Sequence, residues 1–117
     1  MAAHIEVTGK SVTIDSIVQV SKGNNTVILS PAAQQAMQLS RQYIESRLAT
    51  GEAIYGVNTG FGAFSSVRIN EAQIQQLQVN LIRSHAVGVG SPFTREQTRA
   101  MMYLRASTLA SGFSGVR

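Results

Sequence analysis

Tyr55-Gly56-Val57-Asn58-Thr59-Gly60-Phe61-Gly62 separates two helical patterns and matches neither. Its glycines open backbone conformations closed to other residues. Tyr55 and Phe61 are large and apolar for a passive linker, and Asn58 and Thr59 add hydrogen-bonding groups. Composition alone reads as a glycine-rich connector with one packed aromatic. A loop held by ordered elements on both sides is also where binding and chemical groups are placed. The order of Gly56, Gly60 and Gly62 differs from the dinucleotide fingerprint, and the lysine and hydroxyl residue of a triphosphate loop are missing. Tyr55 is the chemically interesting member. A phenol serves as a base only where dipoles or an electrophile stabilise its anion.

Helical signals flank this loop. On its N-terminal side, Ser30-Pro31 is a strong helix start, because serine accepts an orphan amide hydrogen bond and proline loses nothing at the first helical position. The helix is expected to run to about Ala49. Ala33, Ala36, Met37, Ser40, Tyr43, Ile44, Arg47 and Leu48 lie on or beside one face, and Thr50-Gly51 closes it. On the C-terminal side, Asn70 with Gln73 reads as a capping box, flanked by Ile69 and Ile74 as a hydrophobic staple. Ile74, Leu77, Leu81 and His85 then share a stripe that loosens at Gly88-Val89-Gly90. Pro92 marks a boundary, Thr94 with Gln97 forms a second box, and Met101, Leu104 and Thr108 share a face up to Ser111-Gly112.

Nearer the N-terminus the pattern is weaker. Ile5, Val7, Val12 and Ile14 alternate around Gly9-Lys10, which predicts two short extended pieces or a small hairpin. Thr13 caps a short helix from Ile14 to about Ser21, ended by Gly23, and Thr26–Leu29 is a brief β-prone piece. The predicted class is mainly α with a few short N-terminal β segments.

Composition narrows the function. With 44% apolar residues the chain supports a modest core. Ten basic residues against six acidic ones give +4, but the basic residues are scattered, so no nucleic-acid partner is expected. The absence of cysteine excludes disulfides and thiolate ligands, and no His, Asp or Glu set has metal-ligand spacing. No apolar run approaches the roughly 18 residues of a membrane span, and the N-terminus lacks a basic region before an apolar core. Cytoplasm is the expected location. Of the two histidines, His4 is near the terminus and is expected to be uninvolved. His85 sits on an apolar stripe beside Ser84, and is open to two readings: a hydrogen-bonded core histidine or a substrate contact.

Tyr55–Gly62 together with Asn80-Leu81-Ile82-Arg83-Ser84-His85-Ala86-Val87-Gly88-Val89-Gly90 resembles the aromatic amino acid ammonia-lyase family. Leu109 through Arg117 continues the likeness. The resemblance covers nearly the whole chain, but only the N-terminal part of the family's longer polypeptide. It implies the N-terminal helical region of the L-aspartase-like fold, in a homotetramer whose active sites combine several subunits. The implied activity is deamination of an aromatic amino acid by a methylidene-imidazolone electrophile made from an internal Ala-Ser-Gly. Tyr55 corresponds to the catalytic tyrosine of a mobile loop and would act as base. His85 corresponds to the active-site histidine and would contact substrate. Asn58, Gly60 and Ser84 would help shape the substrate site. Ser84-His85 resembles members that convert histidine to urocanate, although tyrosine aminomutases share the pair.

The chain contains Ala110-Ser111-Gly112. Its position before Ser114-Gly115-Val116-Arg117 implies a helix end upstream of the true cyclising site, which is expected after residue 117. Residues 1–117 are therefore expected to be an incomplete N-terminal portion, without external cofactor and inactive alone. A non-catalytic helical interaction fragment is the alternative.

Overall fold

The computed structural model describes residues 4–23 and 25–116. Arg117, the last residue of the family-like ending, lies outside them. The described chain is mainly helical, with one small sheet. In order come β1 (His4–Val7), α1 (Ile14–Lys22), β2 (Thr26–Leu29), α2 (Pro31–Ala49), a 3₁₀ turn (Gly62–Phe64), α3 (Glu71–His85) and α4 (Arg95–Leu109). The described residues form two compact units, one within 4–44 and 92–116 and the other within 45–91.

In the first unit the hairpin alternative does not form, and of the two extended pieces only the first, β1, is a strand. β1 pairs in parallel with β2, His4 opposite Thr26 and Val7 opposite Leu29. Parallel strands need a crossover, which α1 supplies. Val12 leaves the alternation and packs against the core instead. The cap signals of α1 act as read. Thr13 accepts from the Ser16 amide at 3.2 Å, Ser16 Oγ accepts from the Thr13 amide at 3.2 Å, and Gly23 ends the helix in the left-handed region. Ser30 Oγ likewise accepts from the Ala33 amide at 3.2 Å to start α2.

The core of this unit is Val7, Val20, Ala33, Tyr103 and Ala110, with Ile5, Ile17, Leu29 and Met37 packed around it. It departs from the sequence reading in α4. Met101, Leu104 and Thr108 lie on exposed positions, while Tyr103, Ser107 and Ala110 face inward. Apolar spacing could not distinguish the faces because α4 carries apolar residues on more than one. The missing side chain at Gly9 lets the chain before α1 approach the end of α4: a Cβ there would collide with the Ala110 carbonyl. The helix also packs on α1, where Arg99 Nε donates to the Val20 carbonyl at 2.8 Å.

The segment after α4 lies along α2. The Gly115 amide donates to Ser40 Oγ at 3.0 Å, and Arg41 Nη1 donates to the Gly115 carbonyl at 3.4 Å. A Cβ at Gly112 would stand 2.8 Å from the Ala36 backbone, a close approach only glycine permits. The inward stripe of α2 contains Ala33, Ala36, Met37, Ser40 and Ile44 as expected, whereas Tyr43 is exposed.

Candidate functional site

The second unit carries every candidate site residue. It begins with the end of α2, where the Gly51 amide donates to the Leu48 carbonyl at 2.9 Å and the Glu52 amide to the Arg47 carbonyl at 3.3 Å. This is the Schellman pairing that satisfies terminal carbonyls. Arg47 and Glu52 also form an ion pair at 3.3 Å.

The chain then turns sharply. The amides of Val57 and Asn58 both donate to the Ile54 carbonyl, at 3.0 and 3.2 Å, and Gly56 has φ +74°. That conformation is strained for residues with a Cβ. Tyr55 stands on the outside of the turn, 64% exposed, with its ring edge-on to Phe61 at a centroid distance of 6.1 Å.

Two buried side chains hold this turn. Asn58 Oδ1 accepts from the Ile54 amide at 2.7 Å, and its Nδ2 donates to the Glu52 carbonyl at 2.8 Å. Thr59 Oγ1 accepts from the Gly56 amide at 3.2 Å and donates to the Gly60 carbonyl at 3.0 Å. Thr59 is only 1% exposed. The backbone closes the loop at its base: Gly60 donates to Val67 at 3.0 Å and Ile69 to Asn58 at 2.9 Å, around an antiparallel bridge between Thr59 and Arg68. Both polar ends of Asn58 are thus engaged with backbone, and Gly60 is buried beside it. The sequence named Thr59 as a hydrogen-bonding group of the loop but not as a site residue. The available signal was its adjacency to Asn58, since Asn and Thr side chains commonly bond nearby backbone in turns.

The other two candidates end α3. Asn70 Oδ1 accepts from the Gln73 amide at 3.0 Å and starts the helix where the sequence placed it. Ile74, Leu77 and Leu81 are half-buried, but the stripe does not carry on inward to His85, which is exposed. The core-histidine reading therefore fails within the described residues. His85 Nδ1 lies 2.9 Å from the Leu81 carbonyl and 2.9 Å from Ser84 Oγ, and Ser84 Oγ donates to the same carbonyl at 2.9 Å. The structure groups Tyr55, Asn58 and Gly60 in one clamped loop, and Ser84 and His85 in one helical turn.

Ala110-Ser111-Gly112 belongs to the first unit and forms the end of α4. The amides of Ala110, Ser111 and Gly112 donate to the carbonyls of Ala106, Thr108 and Leu109, and Ser111 Oγ donates to the Thr108 carbonyl at 2.6 Å. Gly9 and Ala36 press on the two ends of the tripeptide. Among the described residues, no group of three His, Cys, Asp or Glu side chains could hold a metal ion. No helix among them is long and apolar enough to cross a membrane.

Comparison with known proteins places this geometry. The family described as "Aromatic amino acid lyase" matches residues 12–117. The histidine ammonia-lyase of Gloeobacter violaceus is 48% identical over 109 residues, covering 93% of this chain and 21% of the relative. Among solved structures, a tyrosine aminomutase from Streptomyces globisporus superposes with a TM-score of 0.91 at 33% identity, covering 98% of this chain and 22% of that one. The histidine ammonia-lyase of Trypanosoma cruzi gives 0.88 at 35% identity, with 97% and 22% covered. This chain spans about a fifth of the length of the curated relatives it matches. It has the fold of the N-terminal region of these enzymes, and it belongs to the aromatic amino acid lyase family.

Proposed function

We propose that the whole protein is an ammonia-lyase that converts L-histidine to trans-urocanate and ammonia. The similarity to the Gloeobacter violaceus histidine ammonia-lyase carries this reading. The reaction breaks a Cβ–H bond and the Cα–N bond; the C–H electron pair becomes the new double bond and nitrogen leaves as ammonia. A Cβ proton is weakly acidic, so a positioned base is required. Tyr55 is the proposed base, its oxygen taking the β-proton. Its exposure at a clamped turn supports the assignment, because the phenol is available to a substrate while the backbone beneath it is held.

His85 is proposed to contact the substrate ring, with Ser84 beside it, while Asn58 and Gly60 shape the loop that presents Tyr55. The family's methylidene-imidazolone activates the amine when formed, and we assign its Ala-Ser-Gly precursor to sequence outside residues 1–117. We place the enzyme in the cytoplasm as a homotetramer. Replacing Tyr55 with Phe in the full-length protein tests the central assignment through urocanate and ammonia release. Near-normal turnover would overturn it.

A second reading is a tyrosine aminomutase, favoured by the superposition on the Streptomyces globisporus enzyme. Assays of histidine, tyrosine and phenylalanine with product identification separate the two. A β-amino acid formed from tyrosine, with no urocanate from histidine, selects the second.

A further inference from the structure

We propose that Thr59 is a positioning residue for Tyr55, because its hydroxyl locks the peptide plane between Tyr55 and Gly56. This rests on the reading of Tyr55 as the base.

The turn that carries Tyr55 can be typed from its backbone. The Val57 amide donates to the Ile54 carbonyl at 3.0 Å, so Tyr55 and Gly56 are the central residues of a β-turn. Gly56 has φ +74°, and among the described residues none but glycine has a positive φ. A positive φ confined to the second central residue is the type II pattern. Type I differs mainly by rotation of the central peptide plane, here Tyr55–Gly56, which turns as a rigid unit. The bond from Val57 to Ile54 is common to both types and does not choose between them. The choice falls to whatever holds the central peptide.

Thr59 holds it. Its Oγ1 donates to the Gly60 carbonyl at 3.0 Å, which leaves a lone pair to accept from the Gly56 amide at 3.2 Å. Thr59 is buried, so water does not compete for either bond. Rotation into the type I orientation would turn the Gly56 amide away from Oγ1 and forfeit that bond. Gly56 complements the lock, because without a Cβ it takes the positive φ at no steric cost. Asn58 works on the other side, holding the Ile54 amide and the Glu52 carbonyl ahead of Tyr55. Thr59 fixes the peptide that follows, and with it ψ of Tyr55 and the direction in which the phenol leaves the turn toward its edge contact with Phe61.

The test uses the full-length enzyme and a double-mutant cycle. Thr59→Val keeps the shape of the side chain and loses the hydroxyl, whereas Thr59→Ser keeps the hydroxyl. Thr59→Val should lower kcat for urocanate and ammonia release about 10²-fold, the scale of a small misplacement of a reacting group, with KM for L-histidine changed by less than about threefold. Thr59→Ser should stay near native. Because Thr59 acts through Tyr55, adding Thr59→Val to Tyr55→Phe should slow the enzyme no further. Gly56→Ala disfavours the same peptide orientation without touching Thr59 and should repeat the loss of kcat. It takes the place of Thr59→Val in the cycle if that variant does not fold. Near-native kcat in Thr59→Val or Gly56→Ala, a Ser variant as slow as Val, or an equal further loss in the Tyr55→Phe background overturns the inference while leaving Tyr55 as base. Native turnover in Tyr55→Phe overturns the base assignment, and the inference with it.

Discussion

The two units of this chain are ordered by different forces. Residues 4–44 with 92–116 bury Val7, Val20, Ala33, Tyr103 and Ala110. Among the described residues of 45–91, the side chains that reach the same depth are Asn58 and Thr59, both polar. Apolar burial is non-directional and roughly proportional to area, so the first unit depends on shape and volume. A polar clamp depends on completeness. Each satisfied hydrogen bond contributes about 0.5–1.5 kcal/mol, but a buried group left without its partner costs about 1–3 kcal/mol. The first unit is held by apolar packing, while the second leaves Tyr55 exposed on a backbone fixed by side-chain hydrogen bonds.

The contrast can be broken from either side, and the largest effect belongs to the exposed phenol. Tyr55→Phe in the full-length enzyme should lower kcat by about 10²–10⁴, the usual range for losing an acid–base group. The denaturation midpoint should stay unchanged, since the ring is mostly exposed. Tyr103→Ala should do the reverse. It empties a buried site and is expected to cost about 3–5 kcal/mol of stability by urea unfolding, in line with other buried aromatic truncations.

Asn58→Ala sharpens the comparison. It removes the side-chain partners of the Ile54 amide and the Glu52 carbonyl; both bonds are part-buried, so the expected cost is about 0.5–1.5 kcal/mol for each. Activity should fall together with stability, because the same turn carries Tyr55. Hydrogen exchange at the Ile54 amide should accelerate more than at the Val20 amide of α1. Equal acceleration at both would argue against a locally held loop. The smallest effect is expected for Ser111→Ala, which removes one hydroxyl bond at the end of α4 and should cost under about 1 kcal/mol. The near-ultraviolet absorbance of the family's electrophile should persist in that variant. Its loss would return Ala110-Ser111-Gly112 to candidacy as the precursor.

Legibility followed locality. The starts of α1, α2, α3 and α4 were visible because Thr13, Ser30, Asn70 and Thr94 each bond an amide three residues on. The loop was visible as an irregular stretch, and its likeness to a lyase motif singled out Tyr55. What Asn58 and Thr59 do inside it was not visible, because their partners depend on a backbone path that composition leaves open. The hairpin alternative failed for a related reason. Alternation in Ile5, Val7, Val12 and Ile14 says that a strand is possible, not which strand it will meet.

Determined by the sequence alone were the helical segments, their caps, the positions of Tyr55 and His85, and a family resemblance that the comparisons bear out. Tertiary structure decided the parallel pairing of β1 with β2, the inward face of α4 and the exposure of His85. Caps and helical periodicity are encoded within a few residues, where covalent geometry limits the choices. Strand partners and buried faces are settled by contacts across tens of residues, where shape and desolvation choose among options that local sequence leaves equal.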